Sequence, residues 1–315
     1  MCADAYFRGM NARVVWLMAG LGFSILWASA ATATKFALHS AQPLIIAVVR
    51  FGIASLIMIT TSHLVLRQRL PERRQWRALT IYGLLNITIY LGLYVIAMQY
   101  ITAGIAALAI ATNPVFISFI SFLVLRKKLT RNVIISIAIC VAGVLCASWP
   151  LLHDAVVTPK GLIILLVSML SYSLGAIYFS ASKWNDLQLF TINGWQTGIG
   201  GLLLLPFALL EYHGASTHFD ARFWWSTLWL AVPVSIGAVQ LWLWLLKANA
   251  VAASLWLFLC PLFGFLISGW LMKEQITAYT IAGILLVIGG LLLAQRNLKK
   301  TTRPQQAAEP ILEEG

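Results

Sequence analysis

Ten apolar runs, each long enough to cross a membrane as a helix, constrain this 315-residue chain more than any other feature. A helix needs about 20 apolar residues to span the hydrocarbon core of a bilayer. Charged residues make up 10% of the chain, against about 25% in an ordinary soluble domain. Too little polar surface is therefore available for a soluble fold. The sequence predicts an all-α integral membrane protein with ten transmembrane helices, near 14–35, 43–66, 78–99, 102–125, 132–150, 161–181, 189–210, 224–246, 251–272 and 278–295.

The positions of the 22 Lys and Arg predict how the chain is oriented. Most of them fall in alternate loops, on the side that also holds both termini, and cytoplasmic loops of membrane proteins are enriched in these residues. We therefore expect both termini in the cytoplasm, a polar cytoplasmic tail over 296–315, and insertion in the cytoplasmic (inner) membrane. The net charge of +12 does not indicate nucleic-acid binding, because the basic residues mark loops and form no continuous exposed face.

Motifs of enzymes and metal sites are missing from the sequence. The four cysteines form no CxxC or Cys/His cluster, so we predict neither a metal site nor a cofactor. Neither HExxH nor GxSxG occurs, and no nucleophile–base pair or carboxylate dyad falls within the spans. An intramembrane enzyme is accordingly the least favoured class of function.

An internal repeat runs through the chain at an offset of 147 residues. The segment from Ala103 to Thr130 aligns with that from Ala250 to Thr277, and Gly143 aligns with Gly290. Because each half holds an odd number of helices, the halves enter the membrane in opposite senses. We predict two inverted five-helix repeats, 14–150 and 161–295. Inverted repeats are typical of transporters and place the binding site near the midplane between the halves.

Two prolines occupy equivalent positions in this repeat. Asn113–Pro114 aligns with Cys260–Pro261, and proline removes a backbone hydrogen bond from the helix that contains it. Interruptions at corresponding positions point to a central site. Pro114 and Pro261 are therefore the hinge candidates, with a simple packing kink as the alternative.

The order of several motifs also resembles a known family. The motifs are FSILWAS (23–29), the pair Arg50–Phe51, NPVFISFISFLVLRKKLT (113–130), SYSLGAIYFSASK (171–183) and CPLFGFLISGWLMKEQIT (260–277). They resemble the drug/metabolite transporter superfamily, in its ten-helix branch with two EamA-type domains, over about 14–295. The resemblance implies a secondary transporter that exports amino acids or related compounds. A multidrug or nucleotide-like carrier is the alternative, and a channel is a further one. The family often has Glu after the fourth helix, and this sequence departs from it with Lys127, whose repeat mate is Glu274.

Polar and aromatic residues within the spans are the candidates for a substrate cavity, since such side chains avoid lipid. Asn86, Tyr90 and Tyr94 follow one another at helical spacing and share one face of the third helix. Helix–helix hydrogen bonding is the alternative for this stripe. For Arg50, a cavity charge, a brace between helices and snorkelling to the headgroups all remain open. The cavity candidates are Trp27, Arg50, Asn86, Tyr90, Tyr94, Asn113, Tyr172, Trp195, Gln196, Gln240, Trp244 and Trp256.

Acidic residues are absent from the middle of every predicted span. Proton-driven carriers commonly use an intramembrane carboxylate or histidine relay. We therefore expect a facilitator, or a carrier that couples only weakly to protons. The expected partners are a small-molecule substrate and the lipid bilayer, and the sequence does not indicate an oligomeric state.

Overall fold

The computed structural model describes residues 12–100, 109–126, 131–153, 158–214, 217–272 and 278–301. These residues are almost entirely helical, and they contain no β-strand. The helices of the first half are α1 (Ala12–Leu38), α2 (Pro43–Thr60, continued by the π-helical turn Thr61–Val65), α3 (Arg73–Gly83, the π-helical stretch Leu84–Ile89, and Tyr90–Ala97), α4 (Asn113–Leu125) and α5 (Arg131–His153).

The second half follows the same order of helices. They are α6 (Pro159–Ala181), α7 (Leu189–Leu210), α8 (Ala221–Trp229, the π-helical stretch Leu230–Ala238, and Val239–Ala248), α9 (Ala250–Ser254, the 3₁₀ turn Leu255–Phe258, and Leu259–Met272) and α10 (Ala278–Thr301). Among the residues that the structure describes, five helices are long and apolar enough to cross a membrane: Val14–Leu38, Pro43–Val65, Arg73–Ala97, Pro159–Ala181 and Ala221–Ala248. Ten crossings, and cytoplasmic termini, stay predictions.

Most helix boundaries lie within a few residues of the apolar runs, and caps explain some of the differences. The start of the run near 102–125 lies outside the described residues, and α4 begins at Asn113. The helix α3 begins at Arg73, ahead of the apolar run, because Glu72 and Gln75 form a capping box. Asp220 accepts the Phe223 N–H at 2.8 Å and caps α8. That hydrogen bond lowers the pKa of the Asp220 carboxyl. Asn249 alone joins α8 to α9 and accepts the Ala252 N–H at 3.1 Å.

Helices α5 and α10 pack against each other through small residues. A Cβ on Gly143 would lie 2.8 Å from the Gly283 carbonyl oxygen, and one on Gly290 would lie 2.5 Å from the Cys140 Sγ. At the repeat offset, Gly143 corresponds to Gly290 and Gly283 corresponds to Ser136. A Cβ on Gly290 would lie 3.0 Å from the Ser136 carbonyl oxygen. The contact is therefore symmetric under the repeat.

The symmetry continues at the centre of this helix pair and in α3 and α8. Cys140 directs its Sγ at the Val287 carbonyl oxygen, 3.7 Å away, and these two residues are repeat mates. In α3 and α8 the π-helical stretches begin at Leu84 and Leu230, an offset of 146. These matching features support the prediction of two related halves.

Candidate functional site

A cavity, called here the central cavity, lies between helices of the two halves. Five of the residues predicted from the sequence line it: Trp27 on α1, Arg50 on α2, Tyr90 and Tyr94 on α3, and Pro261 on α9. Cys260 and Gly264 of α9 and Val234 of α8 complete the side that the second half contributes. The two halves therefore share this cavity.

The face of α1 at the central cavity carries small side chains. Ala28, Ala30, Ala31 and Thr34 lie there beside Trp27. The volume of the cavity is about 50 Å³. One water needs about 10–15 Å³ by this measure. The cavity thus has room for a few waters, and a metabolite would need side chains or helices to move.

Arg50 is a charged side chain at this cavity, and it is 5% exposed. Its Nε–H donates to the Ser235 Oγ at 2.7 Å, and its guanidinium carbon lies 5.2 Å from the Phe51 ring centroid. The hydrogen bond joins α2 of one half to the π-helical stretch of α8 in the other. Arg50 therefore lies at the cavity and also braces the two halves, and its guanidinium is buried rather than extended to the membrane surface.

Three stacked aromatic rings lie next to the residues that line the central cavity. They belong to Phe23, Tyr172 and Trp242, and we call them the aromatic floor. The Phe23 and Trp242 centroids are 5.0 Å apart, those of Tyr172 and Trp242 are 5.6 Å apart, and both pairs are stacked. Tyr172 also lies 4.6 Å from the Tyr90 ring. The floor thus continues the ring surface of α3 across α6, α8 and α1.

Two polar atoms of the aromatic floor have no hydrogen-bond partner in the described part of the chain. They are the Tyr172 hydroxyl and the Trp242 Nε1, and both are buried. Buried polar atoms are nearly always paired with protein or water. These two atoms would gain hydrogen-bond partners in a conformation in which water or solute reaches the aromatic floor.

Asn86 departs from the face that it was expected to share with Tyr90 and Tyr94. It lies inside the π-helical stretch, whose wider turn changes the register of the residues around it. Its Nδ2 donates to the Gln196 Oε1 at 3.3 Å, and the Gln196 Nε2 donates to Asn193 at 3.2 Å. Asn193 in turn donates to the Ser235 carbonyl oxygen at 3.0 Å. Asn86 and Gln196 therefore tie α3, α7 and α8 together.

Asn113 lies in a separate buried contact between α4 and α6. Its Nδ2 lies 3.3 Å from the Met169 Sδ, and it accepts a hydrogen bond from the Ser173 hydroxyl at 3.2 Å. The neighbouring Pro114 is buried in the first turn of α4. Neither residue lines the central cavity, unlike their repeat mates Cys260 and Pro261.

The remaining candidates lie elsewhere. Trp195 donates from Nε1 to the His63 Nε2 at 2.9 Å and packs on Trp76. Trp256 is 3% exposed, and it fills the space that the missing side chain of Gly20 leaves. Trp244 is 40% exposed on the outer surface, and Gln240 is half-buried outside the lining. None of these side chains lines the central cavity.

Sequence comparison places the chain among known proteins. The EamA-like transporter family matches residues 14–149 and again residues 159–295. The chain belongs to this family. Protein PecM of Dickeya dadantii (strain 3937) is 25% identical over 298 residues, which cover 91% of this chain and 96% of that protein. An uncharacterized transporter of Archaeoglobus fulgidus is 27% identical over 284 residues, covering 89% of this chain and 98% of that protein.

A solved structure shows the same fold. One crystal structure superimposes with a TM-score of 0.76 and covers 92% of this chain and 99% of its own, at 14% sequence identity. The family and the apolar helices together identify a multi-pass membrane protein of a transporter family. They also confirm the resemblance to the drug/metabolite transporter superfamily.

Within this EamA-like fold, the backbone of α9 changes beside the central cavity. The 3₁₀ turn Leu255–Phe258 interrupts the helix just before Cys260 and Pro261. In the first half, a turn at residues 111–112 precedes the start of α4 at Asn113. A 3₁₀ stretch within a helix often marks a hinge. Thr34 in the lining and Ser235 beside Arg50 were not predicted from the sequence, because their only signal is a small hydroxyl within an apolar span.

Proposed function

We propose that this protein is a secondary transporter that moves small metabolites across the cytoplasmic (inner) membrane by alternating access. The observation that carries the proposal is the central cavity, because α1, α2 and α3 of one half and α8 and α9 of the other line it. A site shared by two inverted repeats can open to either side when one half rocks against the other. The two five-helix repeats, 14–150 and 161–295, are the moving bodies in this proposal.

The predicted orientation of the chain indicates which side of the central cavity the aromatic floor faces. With the N-terminus in the cytoplasm, Trp242 lies within the last two turns of α8, on the cytoplasmic side of the central cavity. The aromatic floor then separates the cavity from the cytoplasm. Access from the cytoplasm requires the three rings to part, and the buried Tyr172 and Trp242 polar atoms then gain water as a partner.

The proposed substrates are amino acids or related compounds, which the protein exports. Trp27, Tyr90 and Tyr94 offer aromatic surface to an apolar side chain, while Arg50 and the tyrosine hydroxyls offer polar partners. Pockets of this kind, mostly apolar with a few placed polar groups, are typical of small-molecule sites. Movement is facilitated, or only weakly proton-coupled, because no carboxylate of the sequence falls in the middle of a span.

Flux into proteoliposomes tests this function. Purified protein is reconstituted, and radiolabelled amino acids, nucleosides, sugars and organic cations are compared with and without a pH gradient. Saturable flux of amino acids or related compounds, little changed by the gradient, supports the proposal. Saturable flux confined to nucleosides or organic cations would replace the substrate class, linear flux would indicate a pore, and no flux of any compound would remove the transport proposal.

A further inference from the structure

The guanidinium of Arg50 is a positive charge within the candidate span Pro43–Val65, and no carboxylate of the described residues forms an ion pair with it. None of the ten acidic residues of the sequence falls in the middle of a span. In the described part of the chain the one ion pair is Arg69 with Glu72, in the connection between α2 and α3. A charge buried in a membrane protein is costly, and where it occurs it usually marks a substrate or ion pathway.

Most of the donors on Arg50 remain free to bind a ligand. A guanidinium has five N–H donors in a planar fork. Within the described residues, Arg50 donates one of them, from Nε to Ser235, while Phe51 covers part of the guanidinium face. The Ser235 bond uses the Nε donor alone, and Arg50 is among the residues that line the central cavity. The planar fork matches a carboxylate, which it binds through two parallel hydrogen bonds.

The rest of the lining indicates a solute with one carboxylate group and an apolar body. Arg50 is the only cationic residue among the lining residues in the part of the chain that is described. One buried positive charge balances one negative charge, whereas a doubly charged phosphate would leave an excess buried charge. Trp27, Tyr90 and Tyr94 place rings at the same cavity, which small residues of α1 also line.

We propose that Arg50 binds the carboxylate of the transported solute, whose apolar part lies against Trp27, Tyr90 and Tyr94. The role of the solute as cargo rests on the proposed function, but the binding site is tested without transport. Inorganic anions share the negative charge of a carboxylate and lack the apolar body. They are therefore a separate outcome of the test.

Thermal unfolding of the full chain in detergent tests the site with benzoate and benzamide as probes. The two share a ring and differ in the carboxylate, and a ligand that binds the folded state raises its melting temperature. We expect benzoate to bind at least about tenfold more tightly than benzamide, as charge-assisted hydrogen bonds to a buried guanidinium require. Inorganic phosphate is expected to bind more weakly than benzoate.

Three variants assign the difference to Arg50. Arg50→Gln is expected to lose the preference for benzoate, and Arg50→Lys to retain part of it, since lysine keeps the charge without the fork. Lys160→Gln is the matched control, because Lys160 is a cation against the Tyr100 ring and lies outside the lining. It should leave the preference unchanged. If Arg50→Gln does not fold, the comparison of the wild type with Arg50→Lys decides.

Each contrary result has a definite meaning. No binding of benzoate by the wild type, equal binding of benzoate and benzamide, or a preference that survives in Arg50→Gln would overturn the carboxylate site. Phosphate binding as tightly as benzoate would overturn the choice of a carboxylate over an inorganic anion. A confirmed benzoate preference without saturable flux of any solute would leave the site standing and remove only the transport proposal.

Discussion

At the scale of single residues, a polar atom inside a span has two uses, and the structure separates them. Arg50, Tyr90 and Tyr94 line the central cavity, whereas Asn86 and Gln196 bond to each other between helices. The sequence identified all five as buried polar or aromatic groups, but it could not distinguish the two uses. The π-helical stretch of α3 decides the position of Asn86, and no pattern of apolar residues encodes that change of register.

Replacing Tyr94 tests the cavity at this scale. Tyr94→Ala removes a ring from the lining, and we expect the apparent affinity for solute in proteoliposome flux to fall by about tenfold or more, the loss typical of a buried aromatic contact. Trp244→Ala is the control, because this exposed ring faces away from the cavity, and it should leave the flux nearly unchanged. Equal effects of the two substitutions would contradict the placement of the site.

At the scale of helices, small residues set which pairs approach closely. Gly143 and Gly290 were identified from the repeat, and the contact of α5 with α10 uses both. The apolar runs predicted the helices because length and hydropathy suffice for that. The partners of each helix were not predictable, since an apolar face fits lipid as well as another helix, and only close backbone approach distinguishes them.

A pair of adjacent glycines in α10 tests this contact. Gly290→Leu forces a side chain into the space occupied by the Cys140 Sγ, and we expect it to destabilise the protein by about 1–3 kcal/mol. Gly289→Leu is the control, because a Cβ at Gly289 meets nothing within 4 Å. Melting temperatures in detergent measure both. A larger loss in Gly289→Leu would contradict the described packing of α10.

The interrupted helix α9 carries a second prediction at this scale. Pro261→Ala restores a backbone donor beside the 3₁₀ turn, and we expect it to slow the maximal flux severalfold by stiffening the hinge, with a smaller effect on apparent affinity. Pro206→Ala, at an exposed position within α7, is the control for removing a helical proline. A maximal flux unchanged in Pro261→Ala would remove the hinge role.

At the scale of the whole molecule, the two halves meet around the central cavity and again through α5 and α10. Cys140 contacts its own repeat mate Val287, so the packing of α5 against α10 follows the symmetry of the two halves. The offset of 147 residues predicted the repeat from sequence because paired glycines and prolines keep their spacing. The lining of the cavity could not be predicted in full, because small residues such as Ala28 and Ala31 contribute space rather than a chemical signal.

Cys260 provides the most direct test of a cavity that opens in turn to each side. It lines the central cavity, and Cys2, Cys140 and Cys146 are replaced by Ala so that one thiol remains. A small membrane-impermeant thiol reagent is added to one face of the proteoliposomes at a time. We predict modification of Cys260 from both faces, slowed by transported solute and accompanied by loss of flux. Modification from one face only, or saturable flux that persists after full modification, would contradict alternating access through this cavity.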